Sequence, residues 1–455
     1  MKFSTFDDVC SYMESFTNLE KRSDNYTNRY YRLDRMHKLL EYIGNPQSSF
    51  ASIHIAGSKG KGSTAIFIAS GLEAAGYKTG MYLSPHVSNY RERFTRCGSY
   101  FSEEEYVSAA NLLFSRLDGF TFSDQWGTTE PTTFELFTAF SFTLFEYTKC
   151  EWAVIETGLG GRLDATNTLK PKAVVLTPIE LEHTAILGNT ITLIASEKAK
   201  IIKTGIPTFV SRQTPEALQV FRDEAEKVNS RMFELTSVVE SLHRRTTVEG
   251  EHVSIEWKDG HITTLLLQMR GEVQAENVAL ALYVLTSLGV YIKESTETAL
   301  QKATLPGRME FVDPTIPLIV DGAHTVESLR HLVNSMVQLY GLQGSTLLFG
   351  ALEGKDYIHM ARLLLPVFDT IIISQPGTFK KSDPEALYQL FLDEAKNMSQ
   401  APQILLEKDA YKALHLAQQL SAQVRPILAT GSFYLAGDIK KAYGLYQEER
   451  RKVCL

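Results

Sequence analysis

Two lysines and three glycines fall within the seven residues Gly57, Ser58, Lys59, Gly60, Lys61, Gly62 and Ser63, after the apolar run "SIHIA" and before a helical pattern. A glycine-rich turn between strand and helix aims backbone N–H groups at one point, and the helix N-terminus adds partial positive charge. Lys59 and Lys61 add full charges. The chemistry is anion binding, and the strand–turn–helix setting points to nucleotide phosphate. The pattern is a variant of the Walker loop GxxxxGK[ST], because Gly62 separates Lys61 from Ser63.

Other reactive side chains also sit where strands end. "WAVIETGLGG" runs from a buried strand into Glu156, and "GMYLS" ends on Ser84. A carboxylate and a hydroxyl opposite a phosphate loop suit a hard cation. His183 lies in "ELEHTAILG". In "ITLIASEKAKIIK", at about 100° per residue, Ile191, Ile194, Ala195, Ile201 and Ile202 fall within roughly 60° of Lys198. Lys200 and Lys203 lie off that stripe. Lys198 therefore either snorkels from the helix edge or points inward. An inward amine has a lowered pKa, so its free base can react with CO₂, and the carbamate would be an anionic oxygen ligand. "LPGRMEF" supplies Arg308, and "IVDGAHTVESL" supplies Asp321 and His324.

These groups need a scaffold. Strand-like runs ("ASIHIAG", "KTGMYLS", "EWAVIETG", "KAVVLTPIE", "GIPTFVS") alternate with helical patterns, the signature of a parallel sheet covered by helices. Residues 231–272 are β-rich, with a hairpin expected around Asp259-Gly260. Pro306 and Gly307 break the pattern, and alternation then resumes in "IPLIVDGAH", "STLLFGALEG", "DTIIISQP" and "RPILATGS". The reading is α/β: a P-loop nucleotide-binding domain over 1–304, with a parallel-rich sheet and a small β-rich part, then a Rossmann-like domain over 305–455. Ligands gather at the carboxyl ends of such strands, so the cleft between the halves is the expected site.

Composition narrows the class. A chain of 455 residues with 44% apolar and 22% charged residues reads as a soluble two-domain protein. A net charge of −7 argues against general nucleic-acid binding. Cys10, Cys97, Cys150 and Cys454 form no CxxC pair, which fits reduced thiols. The first residues carry acids where a signal peptide needs a basic start, and no apolar stretch is long enough to span a bilayer. A cytoplasmic protein is expected.

The loop "GSKGKGS" resembles the "GTNGKGS" loop of the folylpolyglutamate synthase and dihydrofolate synthase family, within the Mur-type amide ligases. Ser58 and Lys59 stand for its Thr and Asn. "YLSPHVSNYRERF" resembles the family's "SPHL…ER" loop, "ETGLGGRLDATN" is nearly a full match, and "ELEHTAILG" resembles "DH…LG" with Glu182 for Asp. "PGR", "DGAHT" (Thr325 for Asn) and "ATGSFYLAGD" follow in order. The resemblance implies ATP and Mg²⁺ at two sites. Ser58 to Ser63, Asn277, Arg308 and Asp321 would contact ATP. Ser84 and Glu156 would ligate one Mg²⁺, and His183 with a carbamylated Lys198 a second. His324 would assist positioning. ATP would phosphorylate a carboxylate of a pterin-bearing acid, and the amine of L-glutamate would attack the acyl phosphate.

The acid is dihydropteroate, a reduced folate, or both. "PTTFE" (Thr132, Thr133, Phe134, Glu135) and "RLDATN" (Leu163, Asp164, Ala165) resemble segments that bind dihydropteroate in bifunctional members. Phe134 would pack on the pterin or belong to the core, and Asp164 would accept pterin N–H groups. A monomeric bifunctional enzyme without nucleic-acid or membrane partners is the expectation. The other readings are a monofunctional relative, a Mur-type ligase acting on a cell-wall precursor, and a non-ligating P-loop protein.

Overall fold

Strand Ala51–Ala56 is apolar enough to lie at the centre of a sheet covered on both faces, and that is its place. The structure is a computed structural model describing residues 2–18, 32–123, 128–313, 317–377, 381–396, 398–421 and 425–453; Cys454 lies outside the described residues. The first sheet orders its strands Ser99–Tyr100, Phe94–Arg96, Thr79–Tyr82, Trp152–Glu156, Ala51–Ala56, Ala173–Leu176, Thr208–Val210 and Met232–Glu234. The pairings of its first three strands are antiparallel, and the rest are parallel. Ile55 pairs with Glu156, so the phosphate turn and the carboxylate leave the sheet side by side.

Helix Lys61–Ala74 is almost wholly buried beneath helix Gln274–Ser287. The expected hairpin forms between Glu251–Trp257 and Ile262–Leu267, and Val239–Thr246 completes a three-stranded antiparallel sheet. Val253, Ile255, Leu265 and Leu267 alternate inward and join Ile53, Ile55, Phe67 and Val278 in one core. The last sheet runs Glu310–Asp313, Leu318–Val320, Ile427–Thr430, Thr346–Phe349, Thr370–Ile373 and Gln403–Leu406, parallel except for its first strand. This is the α/β architecture read from the sequence. No described helix is long and apolar enough to cross a membrane, and Cys10, Cys97 and Cys150 are free thiols.

The phenylalanine-rich helix Thr133–Tyr147 is oriented by a buried charge pair that the sequence reading missed. Arg35 is fully buried and donates to both oxygens of Glu135 at 3.0 and 3.2 Å. It also donates to the carbonyls of Thr128 and Glu130 at 2.8 Å and lies 3.9 Å from the Phe122 ring centre. Removing one partner strands the other charge, so Arg35→Met is expected to cost about 3 kcal/mol. Denaturant unfolding with wild-type midpoint and slope would refute this.

Candidate active site

The phosphate loop is shaped by glycine where the backbone demands it. Gly60, the N-cap of helix Lys61–Ala74, has φ 79°, and a Cβ there would sit 2.4 Å from Asn277 Oδ1. The amides of Ser58 and Lys59 donate to the Pro178 carbonyl, and Ser58 Oγ donates to the Glu180 carbonyl. Asn277 is buried, accepts from Thr64 Oγ1 at 3.5 Å and donates to Gln274. The helix predicted to carry Asn277 thus supports the loop from behind. Ser63 is buried in the first helical turn.

Glu156 faces the loop. Lys61 Nζ is 3.6 Å from its Oε1, and the Ser84 N–H donates to its Oε2 at 3.2 Å. Burial raises the Glu156 carboxyl, while Lys61, the Ser84 amide and Arg308 pull it back. Arg308 comes from the second half of the chain. Burial lowers its guanidinium and Asp321 and Glu156 oppose that, while its Cζ lies 4.4 Å from the Phe433 ring centre. Asp321 accepts from Met309 N at 2.8 Å and Ala323 N at 2.7 Å, which fixes the turn carrying Arg308. Lys59 Nζ donates to Thr325 Oγ1 at 3.2 Å, joining the phosphate loop to the N-cap of helix Val326–Tyr340. His324 Nδ1 lies 2.8 Å from the Gly322 carbonyl, and burial, Lys59 and Lys355 keep its ring neutral.

Lys198 points inward, as the helical stripe predicts, and is 2% exposed. Its Nζ donates to the Gly57 carbonyl at 2.7 Å and lies 2.9 Å from Glu182 Oε1. Burial lowers the Lys198 ammonium and Glu182 opposes that shift. Burial also opposes ionisation of Glu182, yet Lys198, Lys61 and His183 together hold its carboxyl down to about 2. The two shifts pull the pair in opposite senses. The short contacts decide for a charged pair in which the fully enclosed lysine bears the desolvation. His183 is exposed to the cleft in a left-handed conformation (φ 47°). The cleft walls lower its pKa to about 4; Lys198, Lys355 and Lys61 add to this against Glu182. Lys355 is a cation of the site that the sequence reading did not single out.

The "PTTFE" and "RLDATN" segments meet at Gly158. A Cβ on Gly158 would lie 2.4 Å from Phe134 Cζ, so the ring packs directly on the backbone. The geometry gives four of the expected substrate residues partners within the wall itself. Asp164 Oδ2 accepts from Gly158 N and Leu159 N at 2.9 Å. Its Oδ1 accepts from Thr166 N at 3.0 Å and Thr166 Oγ1 at 2.5 Å. Four donors fill the carboxylate, so Asp164 organises the loop and is not a free acceptor. Thr132 and Glu135 cap their own helix reciprocally, and Glu135 also holds Arg35. Thr133 Oγ1 donates to the Phe16 carbonyl. Leu163 is half-buried and Ala165 buried beside Asp164. Phe134, like Leu163, keeps a partly open face, and it is the aromatic residue of this wall that does so.

Residues 55–285 match the Mur ligase middle domain and residues 307–433 match the Mur ligase glutamate ligase domain. A dihydrofolate synthase/folylpolyglutamate synthase of Bacillus subtilis is 34% identical over 415 residues, 90% of this chain and 94% of that protein. The chain belongs to the folylpolyglutamate/dihydrofolate synthase family of Mur ligases. The folylpolyglutamate synthase of Lacticaseibacillus casei, another member, is 31% identical over 96% of this chain and 98% of its own length. The fold of the family is shared in detail: a Mycobacterium tuberculosis folylpolyglutamate synthase complexed with ADP and AMPPCP superposes with TM-score 0.83 at 28% identity, covering 91% of this chain and 95% of that one.

Proposed function

We propose that this chain joins L-glutamate to a pterin-bearing acid at the expense of ATP, and that it accepts both dihydropteroate and reduced folates. The observation that carries this reading is the contact of Lys59 with Thr325. It sets the phosphate loop and the second half of the chain around one cleft, with Arg308 and Lys61 both acting on Glu156. On this reading the chain divides at 304/305, works as a monomer, and resides in the cytoplasm, where free thiols persist.

Lys61, the amides at the start of helix Lys61–Ala74 and Arg308 would hold the phosphates of ATP. The acid's carboxylate oxygen attacks the γ-phosphorus, ADP leaves, and the acyl phosphate forms. Cations around the site offset the charge spreading over the transferring oxygens. The glutamate amine then attacks the carbonyl carbon and gives up a proton, and phosphate departs with the C–O electron pair and carries that proton away. Phe134 packs on the pterin, and His183 and His324, both held neutral, line the acceptor end without adding charge.

The hard oxygens of Ser84 and Glu156 fit Mg²⁺, which takes one or two protein ligands and completes its shell with phosphate and water. Among the described residues no group of three or more His, Cys, Asp or Glu converges, so an all-protein cage is not offered. His183, and Lys198 once carbamylated, would hold a second ion. Bound there, Mg²⁺ would neutralise phosphate charge.

Glutamate-dependent ADP release measured with dihydropteroate, then with tetrahydrofolate, tests the reading. Release with both acids is expected, and hydrolysis indifferent to either would overturn it. Gly60→Ala forces a Cβ onto a left-handed residue at about 1–2 kcal/mol and against Asn277. The KM for ATP should rise about tenfold with the KM for glutamate unchanged. An unaltered ATP KM would show that the loop does not need this conformation.

A further inference from the structure

His54 is fully buried in strand Ala51–Ala56, three residues before the phosphate loop. Its Nε2 lies 2.8 Å from Thr166 Oγ1. The Thr166 hydroxyl has one hydrogen and gives it to Asp164 Oδ1 at 2.5 Å. The bond from His54 must then run the other way, with Nε2–H donating to the hydroxyl. That leaves Nδ1 as a buried acceptor with no hydrogen-bond partner among the described residues, a cost that calls for a compensating role.

The chain continues from Asp164 to the amides of Gly158 and Leu159. The loop these amides belong to leaves Glu156 directly. One side of it receives the Phe134 ring at Gly158, and the other packs Gly161 on the Glu197 and Lys198 carbonyls. Burial and Lys203 hold the His54 imidazole down to about 3, so it stays neutral across the working range of pH. Burial raises the Asp164 carboxyl while the Thr166 hydroxyl and the three backbone amides pull it back.

We propose that His54 is a positioning residue for the acid substrate: through Thr166 and Asp164 it fixes the Gly158–Leu159 backbone against which Phe134 is seated. This deepens the functional reading above and rests on it. His54 touches neither substrate nor phosphate. Its removal should act on the acid and leave the nucleotide alone.

The test uses the full chain and three variants. His54→Leu deletes the donor, Thr166→Val deletes the hydroxyl at constant shape, and His54→Gln restores a donor at the place of Nε2. The KM for tetrahydrofolate is expected to rise five- to tenfold in the first two, with the ATP KM unchanged. It should return toward wild type in His54→Gln, and the Leu/Val double variant should be no worse than either single one. Nitrogen NMR should show His54 as the Nε2–H tautomer, unprotonated from pH 8 to pH 5. Equal changes in both KM values, an unchanged acid KM in folded protein, or an Nδ1–H tautomer would each overturn the proposal. Wild-type protein that ligates no acid would instead overturn the functional reading, while the tautomer measurement would still judge the relay.

Discussion

Lys198→Ala is expected to lower kcat about a thousandfold, the order seen when a preorganised electrostatic group is lost, while the protein still folds. Lys198 is held by Gly57 O on the phosphate loop and by Glu182 beside His183. The substitution therefore empties the point where the phosphate loop meets the turn carrying Glu182 and His183. It also separates activity from stability. Glu182 is held down to about 2 in the folded chain, below its ordinary value. Its pairing therefore contributes stability above the unfolded pKa, and that contribution is lost as pH falls toward 2. The wild-type advantage over Lys198→Ala in thermal unfolding should be full at pH 7 and shrink between pH 4.5 and about 2. Incubation with ¹³C-labelled bicarbonate should give wild type a carbamate signal that the variant lacks, and because carbamylation replaces the ammonium that Glu182 faces, it should shrink that stability advantage. Wild-type turnover by Lys198→Ala would remove Lys198 from the site.

The inward lysine was legible because helical periodicity is local. Ile194 and Ala195 share its face, and the structure buries all three. The phosphate loop and Glu156 were legible for the same reason: a strand, its end and the following turn are contiguous in sequence. What sequence did not carry was pairing at a distance. Arg35 and Glu135 are separated by a hundred residues, and an arginine on an apolar helix face gives no hint of its partner. Asp164 had a plausible external role until its four internal donors were visible, and Thr132 and Glu135 matched a motif that the helix uses as a cap.

Three departures from the family pattern also become physical. Lys59 and Thr325 each replace an asparagine of the pattern, and they contact each other. Glu182 replaces an aspartate, and its extra methylene reaches Lys198. The first pair joins the two halves of the chain, and the second ties two segments of the first half together. A longer, charged side chain on the loop donates to a short hydroxyl on the facing helix.

Glu156→Gln is expected to abolish most activity and to leave the protein at least as stable as wild type. Gln keeps the shape and can still accept from Ser84, so the strand end stays in register. It removes the charge that Lys61 and Arg308 face and the hard anionic oxygen that suits Mg²⁺. The apparent Mg²⁺ requirement should rise at least about tenfold and kcat/KM for ATP fall about a hundred- to a thousandfold. The stability sign follows from burial, which raises the Glu156 carboxyl in the folded chain. A raised carboxyl binds its proton more tightly folded than unfolded, so stability is lost as pH climbs through the interval between the two values. Gln has no such loss, and thermal unfolding of the variant should lack that decline. A variant that is inactive and clearly less stable at pH 7 would mean that Glu156 holds the fold. A variant with a normal Mg²⁺ titration would mean that the ion, if bound, is held elsewhere. Only inactivity joined to undiminished stability fits a buried carboxylate that serves the reaction and not the fold.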